Sequence, residues 1–177
     1  MKRKEFIASA CTLGICSCAM VSGGTLLAGT DEKEDWKLGF MRKRFARLIE
    51  ILTTTVDQET KIKILENMGR ACAKENLAFY EKYKNDPEGY LNEVKQKWAE
   101  QTEYNKEART VRIIGKKTEK CFCPFVDHSV TPKDFCHCSS GYIKETLETV
   151  LGKPVEAVIE ESKLRGGKRC THSAKVL

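Results

Sequence analysis

The sequence predicts an α+β domain in which N-terminal helices pack on a small antiparallel sheet, with one further helix in a cysteine-rich C-terminal half. Of the 177 residues, 41% are hydrophobic and 32% are charged, the composition of a chain that buries one core. Apolar residues recur at three- and four-residue steps in the first half, whereas short β-rich runs and glycines dominate the second. The predicted element order is ααα–ββ–α–ββ.

The first thirty residues have an unusual charge distribution. Residues 2–4 are all basic, and no charged side chain occurs from Phe6 to Thr30. A basic start followed by an apolar stretch of small residues is typical of an export signal or an N-terminal membrane anchor. We therefore predict that residues 1–30 direct export and that residues 31–177 form a single domain.

Residues 3–7 (RKEFI) resemble a twin-arginine export signal with lysine in place of the second arginine. The resemblance implies that export machinery carries the folded chain to the periplasm. Residues 15–18 also match a lipoprotein cleavage box, which would leave Cys18 lipidated and the domain tethered to the membrane. A cleaved signal, a lipidated cysteine, an uncleaved anchor and cytoplasmic residence remain open, and membrane contact is expected only through this segment.

Residues 31–105 are predicted to be helical. The first helix has an apolar stripe that we expect to face the core, opposite a basic face around residues 42–47 that we expect to be solvated. The three consecutive threonines at 53–55 end this helix, because β-branched residues are poor helix formers. The stripe consists of Trp36, Phe40, Met41, Phe45, Leu48, Ile49 and Leu52.

Two more helices follow in this part of the chain. Asp57 is predicted to cap the second helix. Cys72 of the same helix is expected to face the core as a small buried hydrophobe. Asp86 and Pro87 predict the start of the third helix. The predicted inward positions are Ile62, Leu65, Met68 and Cys72 in the second helix, and Tyr90, Leu91, Val94 and Trp98 in the third.

Residues 106–177 are predicted to form the sheet and one further helix. Ser139 or Ser140 caps this helix, and Gly152 ends it. The predicted strands are 110–114, 118–123, 155–160 and 170–176.

Five cysteines and all three histidines lie between residues 121 and 172. Residues two apart on a strand project from one face, so each of the pairs Cys121/Cys123 and Cys170/His172 is expected to share a face. A helix N-terminus lowers the pKa of nearby thiols and so favours the thiolates that metals bind. The predicted metal ligands are Cys121, Cys123, Cys136, Cys138 and Cys170, with His172 as a possible further ligand.

Thiolates and imidazole favour zinc, with an iron–sulfur cluster as the alternative. Cys-x-Cys spacing is less specific than Cys-x-x-Cys, so two further interpretations stay open. The paired cysteines would form two disulfides in an oxidising compartment, without any metal, or one thiol would be catalytic or redox-active. His128 and His137 are expected to face solvent.

A cysteine stands just before Ser140-Gly141-Tyr142, a helix ends in the sequence Gly152–Val155, and acidic residues 160–161 precede a late Cys170. These features resemble the end of the 4-vinyl-reductase-like domain, a small-molecule-binding module found also in sensor domains of phenol- and toluene-responsive transcription activators. The resemblance implies an apolar ligand pocket beside a zinc site. Its implied ligands are Cys136 or Cys138, Glu160 or Glu161, and Cys170.

Ser162 stands where that family has a further cysteine, and Cys121 or Cys123 would replace it. We therefore expect an exported, cysteine-rich, zinc-binding module, sensor-like in function, for a small apolar or heterocyclic ligand. The pocket is expected between the helical half and the sheet. Its candidate residues are Trp98, Phe122, Phe125 and Tyr142.

The helical first half and the late cysteine also resemble the family of L-2-amino-thiazoline-4-carboxylate hydrolases. That resemblance implies the opening of a small C–N ring, with Cys138 or a bound metal activating the nucleophile. No aspartate follows Cys138, which departs from the pattern. No P-loop, Rossmann glycine motif or nucleophile elbow occurs, and the net charge of +6 is evenly mixed. We therefore expect a binding module rather than an enzyme, without a nucleic-acid partner.

Overall fold

A computed structural model describes residues 32–177, with side chains from Trp36 onward; the predicted export signal lies outside the described residues. Residues Asp35–Leu177 form one compact unit. Among the described helices, none combines the length and hydropathy that crossing a bilayer requires. The helices are α1 (Glu32–Thr55), α2 (Gln58–Lys74), α3 (Leu77–Glu81), α4 (Pro87–Lys97) and α5 (His137–Leu151), with a 3-10 turn at Lys133–Cys136 before α5. The strands are β1 (Ala99–Asn105), β2 (Thr110–Gly115), β3 (Val155–Glu161) and β4 (Thr171–Val176).

The four strands form one antiparallel sheet in the order β1-β2-β4-β3. Strand β4 is central, and its residues His172, Ala174 and Val176 alternate with outward-facing neighbours, as the two-residue period of a strand requires. Helix α5 packs against one face of the sheet, where the apolar side chains of the strands are buried. The predicted α+β class is confirmed.

Local signals place several helix ends where they were predicted. The Asp57 carboxylate accepts a hydrogen bond from the Thr60 amide at 2.9 Å, at the start of α2. Asp86 accepts one from the Gly89 amide at 2.9 Å, with Pro87 as the first residue of α4. Gly152 ends α5 in the left-handed conformation, with φ of 65°. Helix α5 itself begins at His137, two residues before the predicted serine cap.

The predicted first hairpin is wrong. Residues 118–123 form no strand, and the hairpin partner of β2 is β1, which lies in the part predicted to be helical. Both edges of β2 are occupied, by β1 on one side and β4 on the other, so the segment after β2 cannot pair with it. Strand β1 (AEQTEYN) is mostly polar because it lies at the sheet edge. Its composition therefore does not indicate a strand in the sequence.

Two burial predictions for the helical part are also wrong. In α1, Ala46 and Ile49 are buried and Phe45 and Leu52 are partly buried, whereas the remaining predicted stripe residues are exposed. Only a narrow strip of α1 faces the rest of the domain, so the other apolar positions have no neighbour. Cys72 is likewise exposed, because it lies on α2 beside the face that carries the buried residues Leu65, Gly69 and Ala73.

The buried apolar side chains form two clusters. The larger cluster lies between the sheet and helices α2 to α5, with Leu147 and Val150 of α5 completely buried at its centre. The smaller cluster joins α1, α2 and the segment before α5. Its buried members are Ile49, Leu65, Phe135 and Leu164, and four cysteines pack around them.

Candidate functional site

A cavity of about 330 Å³ lies among helices α3, α4 and α5. Its volume is at the small end of the range for ligand sites in proteins, about 300–1,000 Å³. Two exposed side chains, Asn76 and Lys97, and the partly buried Glu93 supply polar groups. The apolar lining residues are Phe79, Tyr80, Tyr90, Val94, Trp98 and Tyr142.

The local sequence explains why these rings converge. Tyr90 and Val94 are four residues apart and share one face of α4, while Trp98 follows at the next step of the same period. Tyr142 lies in the first turns of α5 and faces Tyr80 of α3, with ring centroids 6.2 Å apart and planes at 90°. Tyr80 also meets Tyr90 edge-on at 6.0 Å, a favourable geometry for aromatic pairs.

Two of the tyrosines that line the cavity form a hydroxyl pair. The hydroxyls of Tyr80 and Tyr142 are hydrogen-bonded to each other. Burial raises the pKa of Tyr80, and the bond to Tyr142 raises it further. Burial also raises the pKa of Tyr90. Tyr80 and Tyr90 therefore stay neutral at physiological pH, and each hydroxyl can both donate and accept a hydrogen bond.

A cation lies beside the cavity. The Lys97 ammonium is 4.0 Å from the centroid of the Phe79 ring and 3.0 Å from a Glu93 carboxylate oxygen. The cation–π contact and the ion pair hold the lysine against the aromatic wall. This arrangement places one positive and one negative charge next to an otherwise apolar lining.

Trp98 connects the cavity to His172 of the central strand. The two rings meet edge-on at 6.3 Å. The His172 Nε2 atom is 3.2 Å from the Ser139 hydroxyl, while its Nδ1 atom is buried without a hydrogen-bond partner among the described residues. Burial lowers the pKa of His172 to about 4, so the imidazole is neutral at physiological pH.

A larger groove, of about 600 Å³, crosses the outer face of the sheet. Its lining includes Glu103, Arg112, Glu156 and Lys175, whose charges of both signs alternate on the strands. Such a mixed polar surface is typical of the solvated face of an antiparallel sheet. The aromatic cavity is therefore the better candidate for a ligand site.

Four of the five predicted cysteine ligands lie around the smaller apolar cluster. The Cys136 sulfur is 2.8 Å from the hydroxyl of Ser162, the residue that stands where the resembled family has a cysteine. Burial and the neighbouring thiols Cys170 and Cys136 raise the pKa of Cys121 to about 11. Cys121 and Cys123 share no strand face, because their segment is irregular.

The other predicted ligands have different surroundings. Glu160 points to the outer face of the sheet, where it accepts hydrogen bonds from Arg112, at 2.8 Å, and from Ser173. His172 is on the inner face. Within residues 32–177, no three His, Cys, Asp or Glu side chains are grouped so that they could hold a metal ion. Zinc and an iron–sulfur cluster both remain predictions from the sequence.

Of the four residues predicted to line a pocket, Trp98 and Tyr142 line the cavity. Phe122 is exposed and contacts Trp98 at 6.5 Å between centroids, while Phe125 packs on Phe45 of α1 at 5.4 Å. Sequence reasoning missed Phe79, Tyr80 and Tyr90. A concentration of aromatic residues in 79–90 is the signal that could have found them.

Cys138, the nucleophile of the hydrolase alternative, lies in the first turn of α5. Burial and the neighbouring thiols Cys123 and Cys72 raise its pKa to about 12, opposite to the shift that the helix N-terminus was expected to cause. His128 is exposed, as expected, and its Nε2 accepts a hydrogen bond from the Cys121 amide at 3.3 Å. His137 is partly buried.

Alkylation is expected to modify Cys72 at least about tenfold faster than Cys138 at pH 7.5, because Cys72 is exposed and Cys138 is partly buried with a pKa raised to about 12. Peptide-resolved mass spectrometry after a short iodoacetamide pulse measures each rate separately. The urea-unfolded chain is the control, in which the two rates should converge. Faster labelling of Cys138 would contradict the structure and support a reactive thiolate.

No protein-family model and no curated protein sequence matches the chain. Solved structures do share its fold. A trafficking protein particle complex subunit 3 from Naegleria fowleri, covalently bound to palmitic acid, is 15% identical, with a TM-score of 0.51 over 81% of this chain and 97% of that one. The phenol-responsive sensory domain of the transcription activator PoxR, solved with phenol, is 14% identical, with a TM-score of 0.53 over 76% of this chain and 74% of that one. At these identities the comparison establishes the fold, and the 4-vinyl-reductase-like resemblance remains a prediction.

Proposed function

We propose that the chain is a small-molecule-binding, sensor-like module whose ligand site is the cavity among α3, α4 and α5, and that its ligand is a small aromatic compound with a hydroxyl group. The observation that carries this proposal is the ring-lined cavity of about 330 Å³ with the Tyr80–Tyr142 hydroxyl pair on its wall. The structural neighbours support it, since one was solved with phenol and the other with palmitic acid.

The lining favours a flat ring over other ligand shapes. Tyr80, Tyr90 and Tyr142 meet one another edge-on or hydroxyl to hydroxyl, so that a ligand ring can adopt the same edge-to-face contacts. A volume at the small end of the usual range suits one ring better than a long acyl chain.

The hydroxyl pair supplies the polar recognition. In the Tyr80–Tyr142 bond one hydroxyl donates its proton, so the other proton stays available for an oxygen atom of the ligand. Because burial raises the pKa of Tyr80, that tyrosine does not become a phenolate that would repel an anionic oxygen. The pair therefore distinguishes a phenol from an unsubstituted ring.

Two residues connect the ligand cavity to the centre of the domain. Tyr142 is part of α5, the helix that covers the sheet, and Trp98 contacts His172 of the central strand. A ligand that orders these side chains stabilises the folded state by mass action. The predicted zinc is a separate expectation from the sequence, and the proposed binding does not require it. Export through residues 1–30 remains part of the proposal, supported by their charge distribution.

Phenol is expected to change the fluorescence of Trp98 saturably. The chain has two tryptophans, so Trp36→Phe leaves Trp98 as the only reporter, and Trp36 is exposed and is not one of the residues that line the cavity. Tyr142→Phe should weaken the affinity by about 5- to 30-fold in this background, because the lost hydrogen bond contributes about 1–2 kcal/mol. The matched control is Tyr104→Phe on β1, which removes a hydroxyl outside this cavity.

Either of two results would overturn the proposal. One is the absence of a saturable Trp98 response and of any rise in melting temperature with phenol. The other is an equal loss of affinity in Tyr142→Phe and Tyr104→Phe, which would show that the cavity hydroxyl is not the determinant. Binding of palmitate without binding of phenol would contradict the proposed ligand class and assign an acyl chain instead.

A further inference from the structure

Helix α1 exposes large apolar side chains to solvent on the side opposite the core. Trp36 is 68% exposed and Met41 is 54% exposed, values far from those of core residues. Trp36 stacks on Phe40 with centroids 5.8 Å apart, so the two rings form a continuous apolar surface. The α1 outer face is defined here as the exposed apolar residues Trp36, Phe40, Met41, Leu48 and Ile51 together with the exposed basic residues Lys37, Lys43, Arg44 and Arg47.

The helical period explains why these residues remain uncovered. At roughly 100° per residue, the five apolar positions fall within an arc of about 140°. The core-facing strip, with Ala46 and Ile49 at its centre, lies on the other side of the helix. Contiguous exposed apolar surface of this kind marks an interaction site in soluble domains.

The α1 outer face is positively charged and therefore attracts anionic groups. Between residues 36 and 51, Lys and Arg number five and Glu50 is the only acidic residue, a net charge of +4. Arg47 pairs with Glu50 at 2.8 Å, and Arg42 turns inward to donate to the Pro124 carbonyl at 2.6 Å. No ion pair among the described residues involves Lys37, Lys43 or Arg44. Acidic residues otherwise occur only in the first turn, at 32, 34 and 35.

Aromatic and basic side chains are interleaved on this face rather than separated. The Arg44 guanidinium lies 5.0 Å from the centroid of the Phe40 ring. Tryptophan and phenylalanine rings bind at the headgroup level of a bilayer, while the long stems of Lys and Arg let their charges reach lipid phosphates. An acidic protein partner would match the charges, whereas a bilayer surface accommodates both the charges and the stacked rings of Trp36 and Phe40.

The position of α1 along the chain agrees with this chemistry. The helix begins at Glu32, two residues after the end of the uncharged stretch Phe6–Thr30. When an uncharged stretch of this kind enters a bilayer, the helix that follows it lies at the level of the headgroups. We infer that the α1 outer face lies on an anionic membrane surface, with Trp36 and Phe40 at headgroup depth and Lys43, Arg44 and Arg47 on the lipid phosphates.

The test uses the full chain with Trp98→Phe, which leaves Trp36 as the only tryptophan. Vesicles of phosphatidylglycerol and phosphatidylcholine are compared with vesicles of phosphatidylcholine alone, and both contain brominated lipid. Residues 6–30 can hold the chain on a vesicle by themselves, so the readout is the depth of Trp36 and not association. On anionic vesicles we expect a blue shift and strong quenching of Trp36, both reduced by high salt.

Charge reversal provides the matched comparison. Lys43→Glu/Arg44→Glu/Arg47→Glu should shift the equilibrium between docked and undocked α1 by more than about 100-fold, so that quenching falls to the level seen on zwitterionic vesicles. The control makes the same change of charge at three exposed lysines elsewhere, in Lys84→Glu/Lys106→Glu/Lys153→Glu. It should keep the quenching of the parent chain.

Three results would overturn the inference. The first is the absence of Trp36 quenching on anionic vesicles. The second is an equal loss of Trp36 quenching in both triple variants. The third is a Trp36 already shielded without vesicles, with a doubled mass in sedimentation, which would assign the face to a second copy of the chain. The phenol response of the Trp36→Phe chain is measured separately, so failure here leaves the proposed function unaffected.

Discussion

Replacing Gly141 by alanine is expected to lower the free energy of unfolding by about 3–5 kcal/mol and the melting temperature by about 10 °C. A Cβ atom at this position in α5 would lie 1.9 Å from the carbonyl oxygen of Glu66 and 2.6 Å from its Cα atom in α2. These are backbone atoms inside a helix, so they cannot rotate away as a side chain would. The two helices must separate to accommodate the methyl group.

Urea denaturation followed by circular dichroism measures this effect. Gly69→Ala, whose Cβ would lie 1.8 Å from the Cys138 carbonyl oxygen, should cost a similar amount, since it lies in the same interface. Gly39→Ala is the matched control, because nothing lies within 4 Å of its added Cβ in α1. That change should leave stability unchanged or raise it by up to about 1 kcal/mol through helix propensity. A Gly141→Ala chain within about 1 kcal/mol of the parent would contradict the packing described for α2 and α5.

The same interface supports the proposed ligand site. Arg70 of α2 donates to Glu145 at 2.9 Å and to Glu148 at 2.6 Å, which clamps α2 along α5. Tyr142 follows Gly141 directly, so its hydroxyl meets that of Tyr80 only if α5 keeps this position. Gly141→Ala should therefore weaken phenol binding together with stability.

The second large effect is a loss of stability between pH 6.5 and about pH 4, caused by His172. Its pKa in the folded protein is about 4, against an ordinary value of 6.5, because the ring is buried. In this window the unfolded chain binds the proton and the folded chain does not, so stability falls as the pH falls. The full contribution is present above pH 6.5, and a difference of this size corresponds to about 3 kcal/mol lost near pH 4.

Chemical denaturation at a series of pH values measures this dependence. His172→Gln keeps a polar side chain that does not titrate. Its free energy of unfolding should therefore fall by about 3 kcal/mol less than that of the parent chain over the window. His128→Gln is the control at an exposed histidine and should retain the slope of the parent chain. Identical slopes in the parent chain and His172→Gln would show that the buried imidazole does not resist protonation. Hydrogen bonds from Arg112 and Ser173 lower the pKa of Glu160.

Helix ends were predictable because the interactions that define them are local. Asp57 and Asp86 cap with their own side chains the amides three residues ahead, and Gly152 adopts a conformation that few other residues tolerate. None of these interactions depends on a distant part of the chain. The α+β class followed from the same local periodicities.

The candidate site was only partly predictable. Tyr142 and Trp98 were expected in a pocket, but the identity of the other walls depends on α3 and α4 lying against α5, at least forty residues away along the chain. The cysteines were grouped by the sequence, and four of them pack around the smaller apolar cluster, but the irregular path of residues 116–132 gives Cys121 and Cys123 no shared strand face. Sequence spacing defines a shared face only within a regular strand or helix.

The sequence by itself determined the caps of α2 and α4 and the end of α5, the α+β class, and the concentration of thiols and aromatic rings in particular segments. The tertiary structure decided that the polar stretch Ala99–Asn105 is a strand, which side of α1 is covered, and which rings enclose the cavity. The physical reason is the range of the interactions. Capping and periodicity act over three or four residues, whereas strand pairing and burial depend on partners that only the folded chain brings together.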